Sequence, residues 1–323
     1  MNQSKIKIVY SPSYNIRFLG LEKLHPFDSC KYGNAWQYLL DYFGKRLEDF
    51  RIIPEEPVTV EELLSVHTLE YLNRLKNSVY LANALELPEL SIVPRFLIER
   101  HVIKGMLLAT KGTFLAAEYA LKHGMAVNLG GGYHHASNDR GEGFCIYADV
   151  AIAISLLRQN ELLEPEDPVM VIDLDAHQGN GLERIFSLDK SVYILDMYNQ
   201  NIYPQDWWAV GRINCDLPLK NNTEDEEYLD ILSKQLPSFI ENIEKVGKPK
   251  IAFYNAGTDI YEKDSLGGLK ITKEGILKRD QIVFDTLTRS GIPWVMVLSG
   301  GYTKESYLLV AESVAYILNT WAL

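Results

Sequence analysis

A chain of 323 residues with 47% hydrophobic content can bury a large core. Its formal net charge of −11 argues against nucleic-acid binding, which calls for clustered basic residues. The same charge suits a cationic substrate such as a lysine-bearing peptide or a polyamine. Neither a signal peptide nor an apolar run of membrane length is visible, so secretion and a membrane span are not expected. Cys30, Cys145 and Cys215 are odd in number and lack paired spacing, which fits a reducing cytoplasmic setting, or a nucleocytoplasmic one in a eukaryote.

Taken in chain order, residues 60–78 and 94–123 predict helices. Residues 126–129 predict a strand running into Gly130-Gly131-Gly132-Tyr133-His134-His135. A helix is expected over 147–159, and the acidic tract 160–167 between it and Pro168 reads as a surface connection. The apolar run 169–172 predicts a buried parallel strand ending in Asp173-Leu174-Asp175-Ala176-His177. A helix over 223–245 and a strand over 250–254 follow, the strand running into Asn255-Ala256-Gly257-Thr258-Asp259. A helix over 272–289, a strand over 294–298 leading to Ser299-Gly300-Gly301-Tyr302, and a helix over 304–322 complete the chain. Strand–helix alternation without a low-complexity linker predicts one α/β domain over residues 1–323, with a mostly parallel central sheet and helices on both faces.

In an extended chain, side chains two apart share a side, so Asp173, Asp175 and His177 are expected to converge at the end of their strand. Burying two carboxylates and an imidazole together is costly without a metal or hydrogen-bond partners. Two oxygens and a nitrogen suit zinc better than calcium. A solvated turn with helix-capping aspartates accounts equally well for this motif taken alone. Three further strand ends with polar side chains favour one shared site, because ligands of open α/β sheets bind beyond the carboxyl ends of the strands.

On these motifs, together with Gly143-Phe144-Cys145 and Gln178-Gly179-Asn180-Gly181, the chain resembles the zinc-dependent histone deacetylases from about Ile8 to the C-terminus. That family has the arginase-type α/β fold. Residues 10–15, 20–28, Asn180 and 266–269 are most similar to its class IV branch. The resemblance implies that Asp175, His177 and Asp259 hold one catalytic zinc ion with a ligand position left open. It implies hydrolysis of the amide on an acylated lysine side chain, with His134 and His135 as the acid/base pair. Asp173 matches the carboxylate behind the first histidine. Asn180 stands where many members have Asp behind the second, which leaves His135 less easily protonated and readier to act as a base.

Tyr302 is implied as the donor to the developing oxyanion, although Ser299 replaces the first of the family's commoner three glycines. Gly143, Phe144, Tyr203 and Leu266 match the walls of the acyl-lysine channel, and Cys145 a small buried residue beside it. Asp173, Asp175, His177, Asp196 and Met197 match a structural potassium site. The class IV members that the chain resembles prefer long fatty-acyl groups to acetyl. Glycines on three strand ends leave space for such a chain, although tight turns account for them equally well. A small-molecule substrate such as an acetylated polyamine is the alternative, with Glu142 and Asp28 as carboxylates for the rim. A catalytically silent binding module is disfavoured, because the expected ligands, histidines and tyrosine are all present.

Overall fold

The computed structural model describes residues 6–16 and 27–322. Eight strands form one sheet: β1 (Ile6–Val9), β2 (Arg51–Ile52), β3 (Met125–Asn128), β4 (Val169–Asp173), β5 (Val192–Asn199), β6 (Cys215–Leu219), β7 (Ile251–Asn255) and β8 (Trp294–Val297). Their order is β2-β1-β3-β8-β7-β4-β5-β6, and every pairing is parallel rather than mostly so.

The central strands are buried on both faces, as their unbroken apolar runs require. Met170, Ile172, Ala252, Tyr254, Trp294 and Met296 point into one core with the helices Lys31–Phe43, Asp225–Glu244, Lys273–Arg289 and Ser306–Trp321. Val169, Val171, Ile251, Phe253, Val295 and Val297 alternate with them into a second core. The helices Lys104–His123 and Asp149–Gln159 cover that face. The result is three layers, helix–sheet–helix.

Sheet order positions the site. β3, β8, β7 and β4 are neighbours in space, although more than a hundred residues separate β3 from β7 in the chain. They are the four strands whose ends carry the polar motifs. Register finishes the alignment, since Asp173 pairs with Asn255 on one side and with Asp196 on the other.

Two expectations about the elements change. Residues 60–78 are not one helix: Val60–Leu63 and Leu69–Arg74 are separate turns, and a further helix runs Ser78–Ala84. Thr59, Thr68 and Asn77 each accept backbone N–H bonds as N-caps, so each piece starts afresh. The span 94–123 is helical throughout but contains a wide turn at Glu99–Ile103. The strands β1, β2, β5 and β6 and the helix Lys31–Phe43 were not anticipated as elements.

Candidate active site

β4 ends at Asp173, and the chain bends immediately after it. Strand alternation therefore does not extend to Asp175 and His177, which corrects the expected three-residue convergence. Asp173 turns away from the other two: its Oδ2 lies 2.9 Å from His134 Nδ1, and its Oδ1 accepts from Asn255 Nδ2 at 2.8 Å. Asp175 and His177 instead meet Asp259 from the β7 end. One ligand atom from each of the three lies within 4.8 Å of the others, and all three residues are buried.

His177 Nδ1 is 3.1 Å from Asp175 Oδ1 and 3.0 Å from Asp259 Oδ2. The second oxygen of each carboxylate is held by backbone: Gly300 N donates to Asp175 Oδ2 at 2.8 Å, and Ala176 N to Asp259 Oδ1 at 2.9 Å. Burial and the neighbouring Asp175 push the Asp259 carboxyl up to about 7. Burial acts in the same direction on Asp175, but His134 and His177 hold it low. Two buried carboxylates and an imidazole facing one point form a donor set that suits a divalent cation such as zinc.

The loop after β3 brings in both histidines. Gly131 and Gly132 have φ of 74° and 83°, and a Cβ at Gly132 would lie 2.5 Å from Ser299 N. Glycine is thus required both by the turn and by the approach of the β8 loop. Buried Asp149 anchors the turn, accepting from Gly132 N and Tyr133 N.

The two rings face different partners. Burial alone would lower His134, but the charges of Asp173 and Asp175 raise it to about 9. His135 Nδ1 is 2.8 Å from Asn180 Oδ1. Burial and the neighbouring His134 and His177 push its pKa well below 6.5, and the neutral amide offsets little of that. Asn180 Nδ2 in turn donates to Glu142 Oε1 at 3.3 Å, and Glu142 also accepts from Arg140. Glu142 is thus engaged behind His135. Asp28 accepts from Cys30 N at the start of the helix Lys31–Phe43.

Tyr302 packs edge-on against Phe144 and His177, with centroids 5.8 and 6.1 Å away. Burial, then Asp259 and Asp175, raise its phenol well above the ordinary value, so it remains a donor. Tyr203 lies 5.1 Å from His135, and Gly143 sits against the same two rings. Leu266 joins through Asp264, whose carboxylate accepts from both Leu266 N and Tyr302 N. Cys145 is buried, and burial pushes its thiol far up, the reverse of what a nucleophilic cysteine needs. From Phe144, Cys145, Tyr302 and the two histidines a cavity extends past Tyr32 and Tyr133 to Leu85, Leu87, Leu90, Val102 and Met106. Glu89 is also on its wall; Tyr203 and Leu266 do not line it.

Four residues hold the site in roles that sequence reading did not assign them, and Lys31 and Asp264 were not singled out at all. Asn255 links Asp173 to the Ser299 hydroxyl at 3.0 Å, and that hydroxyl donates on to Gly132 O. Ser299 holds φ at 50°, a conformation for which glycine is better suited, and these bonds secure it there. Buried Lys31 donates to Ser299 O and Gly300 O at 2.5 and 2.9 Å. Its ammonium is pushed down to about 8 by burial, in spite of Asp259 and Asp175. Glu142 and Asp264 complete the set.

A histone deacetylase domain model matches residues 25–320, over the same motifs that build this site. The chain belongs to the histone deacetylase family. It is similar to Histone deacetylase 2 of Arabidopsis thaliana, with 42% identity over 312 residues, 96% of this chain and 78% of that protein. Its fold is similar to that of the HDA15 HD domain, with TM-score 0.76, 20% identity and coverage of 99% of this chain and 90% of that one. A histone deacetylase homologue complexed with SAHA superposes with TM-score 0.72 and 25% identity, covering 96% and 82%. The fold is thus the arginase-deacetylase fold and the chain a deacetylase-type hydrolase. Zinc dependence is a general property of the family, and Asp175, His177 and Asp259 are fitted to hold the ion. Among the described residues no helix is long and apolar enough to cross a membrane.

Proposed function

We propose that this chain is a zinc-dependent lysine deacylase of the class IV type, acting on long-chain acyl groups in preference to acetyl. The observation that carries the acyl preference is the cavity joining His134, His135 and Tyr302 to the apolar side chains Leu85, Leu87, Leu90, Val102 and Met106. An acetyl group has no use for such walls, whereas each buried methylene adds about 0.8 kcal/mol. Of the sequence features pointing to class IV, residues 20–26 lie outside the described residues, and the reading rests on Asn180 and the segments 10–15 and 266–269.

Zinc held by Asp175, His177 and Asp259 would polarise the acyl carbonyl and acidify water beside it. His135, kept neutral by burial and oriented by Asn180, takes the proton from the attacking water. His134, held charged by Asp173, supports the developing negative charge and is placed to protonate the departing lysine amine. The Tyr302 hydroxyl donates to the oxyanion. Phe144, Gly143, Tyr203 and Leu266 would enclose the lysine stem; in support, Tyr203 and Gly143 lie against His135, and Phe144 against Tyr302.

A potassium ion is proposed at the carbonyls of Asp173, Asp175 and His177, with Asp196 and Met197. Supporting it, Asp196 is fully buried beside Asp173 and Glu183, and a cation would offset the repulsion among these carboxylates.

The test is a panel of one peptide carrying acetyl-, decanoyl- or myristoyl-lysine, run beside acetylated polyamines. A higher kcat/KM for the long chains is expected. Efficient acetyl hydrolysis with negligible long-chain turnover overturns the acyl preference, and turnover confined to polyamines overturns the lysine-peptide substrate.

A further inference from the structure

Beneath the site lies a buried ion pair that plays no part in the chemistry above. Arg279, on the helix Lys273–Arg289, has no exposed surface, and its neighbour Asp280 is 1% exposed. Arg279 Nε donates to Asp280 Oδ1 at 2.8 Å. Asp280 is itself held by the Tyr254 hydroxyl at 2.5 Å and by the Ser313 hydroxyl. The guanidinium also stands 5.8 Å from the centre of the Tyr254 ring. Its orientation is therefore set on the helix side by groups from three elements.

The other end of the fork faces the sheet. Nη1 donates to two backbone carbonyls, Gly257 O at 2.5 Å and Leu174 O at 3.3 Å. Leu174 immediately precedes Asp175, and Gly257 lies two residues before Asp259. These carbonyls belong to the two separate strand ends that supply the carboxylates of the metal triad. The ends are already in close contact: a Cβ on Gly257 would fall 2.3 Å from Asp175 Oδ2 and 2.7 Å from Asp175 Cα. A single buried nitrogen thus bridges the β4 turn to the β7 turn on the side away from the ligand atoms.

A buried ion pair is a poor way to gain stability, since apolar residues of similar volume usually serve as well or better. A planar donor fork anchored at one nitrogen and bonding at another does fix geometry. We propose that Arg279 is a positioning residue for the metal site, setting the separation of Asp175 and Asp259 through the carbonyls of Leu174 and Gly257. The inference rests on the zinc site of the preceding reading. It concerns a residue that touches neither ion nor substrate.

Arg279→Lys tests it, because lysine keeps the charge and most of the length but cannot bond Asp280 and both carbonyls in one plane. Four readouts are compared with wild type: thermal unfolding of the metal-free proteins, zinc dissociation constant by chelator competition, the visible spectrum of the cobalt(II)-substituted proteins, and kcat and KM of the zinc enzymes. The expected result is a folded variant with zinc affinity lowered roughly 10–100-fold, the usual range for groups behind metal ligands. The cobalt spectrum should change, and kcat should fall with KM nearly unchanged. A folded variant with wild-type zinc affinity and cobalt spectrum overturns the proposal. If Arg279→Lys does not fold, Asp280→Asn keeps the shape and removes the charge that anchors the fork, and the same readouts decide. Altered affinity and spectrum on a protein without deacylase activity would uphold the positioning role and sink the functional reading. A wild-type protein that binds no stoichiometric metal would sink both.

Discussion

His134 and His135 share one loop, both are buried, and their ring centroids are 4.1 Å apart, yet their surroundings drive them to opposite protonation states. Asp173 stands behind the first and lifts it to about 9, while Asn180 stands behind the second, which burial holds well below 6.5. Burial acts the same way on both rings, so the difference comes from neighbouring charge. Asp173 and Asp175 raise His134, while His134 and His177 lower His135 and the amide at its Nδ1 adds no negative charge. The group behind each ring is thus one part of what divides one chemical type into a charged partner and a neutral base.

The largest test removes what both rings are placed to serve. Asp259→Ala should abolish stoichiometric zinc binding and reduce turnover below detection, measured by metal analysis beside a peptide assay. Tight zinc with intact turnover in that variant removes Asp259 from the ligand set. Next, His135→Ala should cost roughly 10²–10⁴ in kcat. Tyr302→Phe should cost roughly 10²–10³ while still folding and binding zinc. A near wild-type rate in either variant takes that residue out of the mechanism.

Making the two rings alike sharpens the contrast. Asn180→Asp places a negative charge beside His135, which favours imidazolium and raises the pKa. The base form is then lost at higher pH, so the acid limb of kcat/KM should move upward by about 1–3 units. An unmoved limb would mean that His135 is not the base reported by that profile. The smallest effect is expected at Glu142, which holds Asn180 rather than the ring. Glu142→Gln preserves an acceptor for the Asn180 amide and should change kcat by only a few fold. Glu142→Met removes the acceptor and should do more, and equal rates for the two would show that orienting Asn180 is immaterial.

The apolar wall of the cavity was the least legible part of the site. Leu85, Leu87 and Leu90 fall in a stretch that breaks into short pieces, and no periodicity marks them as facing the histidines. The polar end was far more legible, because small residues and polar side chains following a β-branched run leave a local signature. Tyr203 and Phe144 were assigned by resemblance, and both lie against site residues. Asp28 and Glu142, which the sequence offered as carboxylates that could serve near the rim, have partners it did not supply: Asp28 accepts in a helix-start turn, and Glu142 accepts from Asn180.

By itself the sequence determined the α/β class and the strands that end in polar groups, since apolar runs and loop chemistry are local properties of the chain; the set Asp175, His177 and Asp259 came from the family resemblance. Strand alternation alone would have put Asp173 in the triad, whereas the family resemblance put it behind His134, where it lies. Alternation holds only while the backbone stays extended, and β4 ends at that residue. Nor did it determine the partners of Lys31, Asn255 or Arg279. Their hydrogen bonds cross 268, 82 and 105 residues of chain, and only the insertion of β8 and β7 between β3 and β4 brings those segments together.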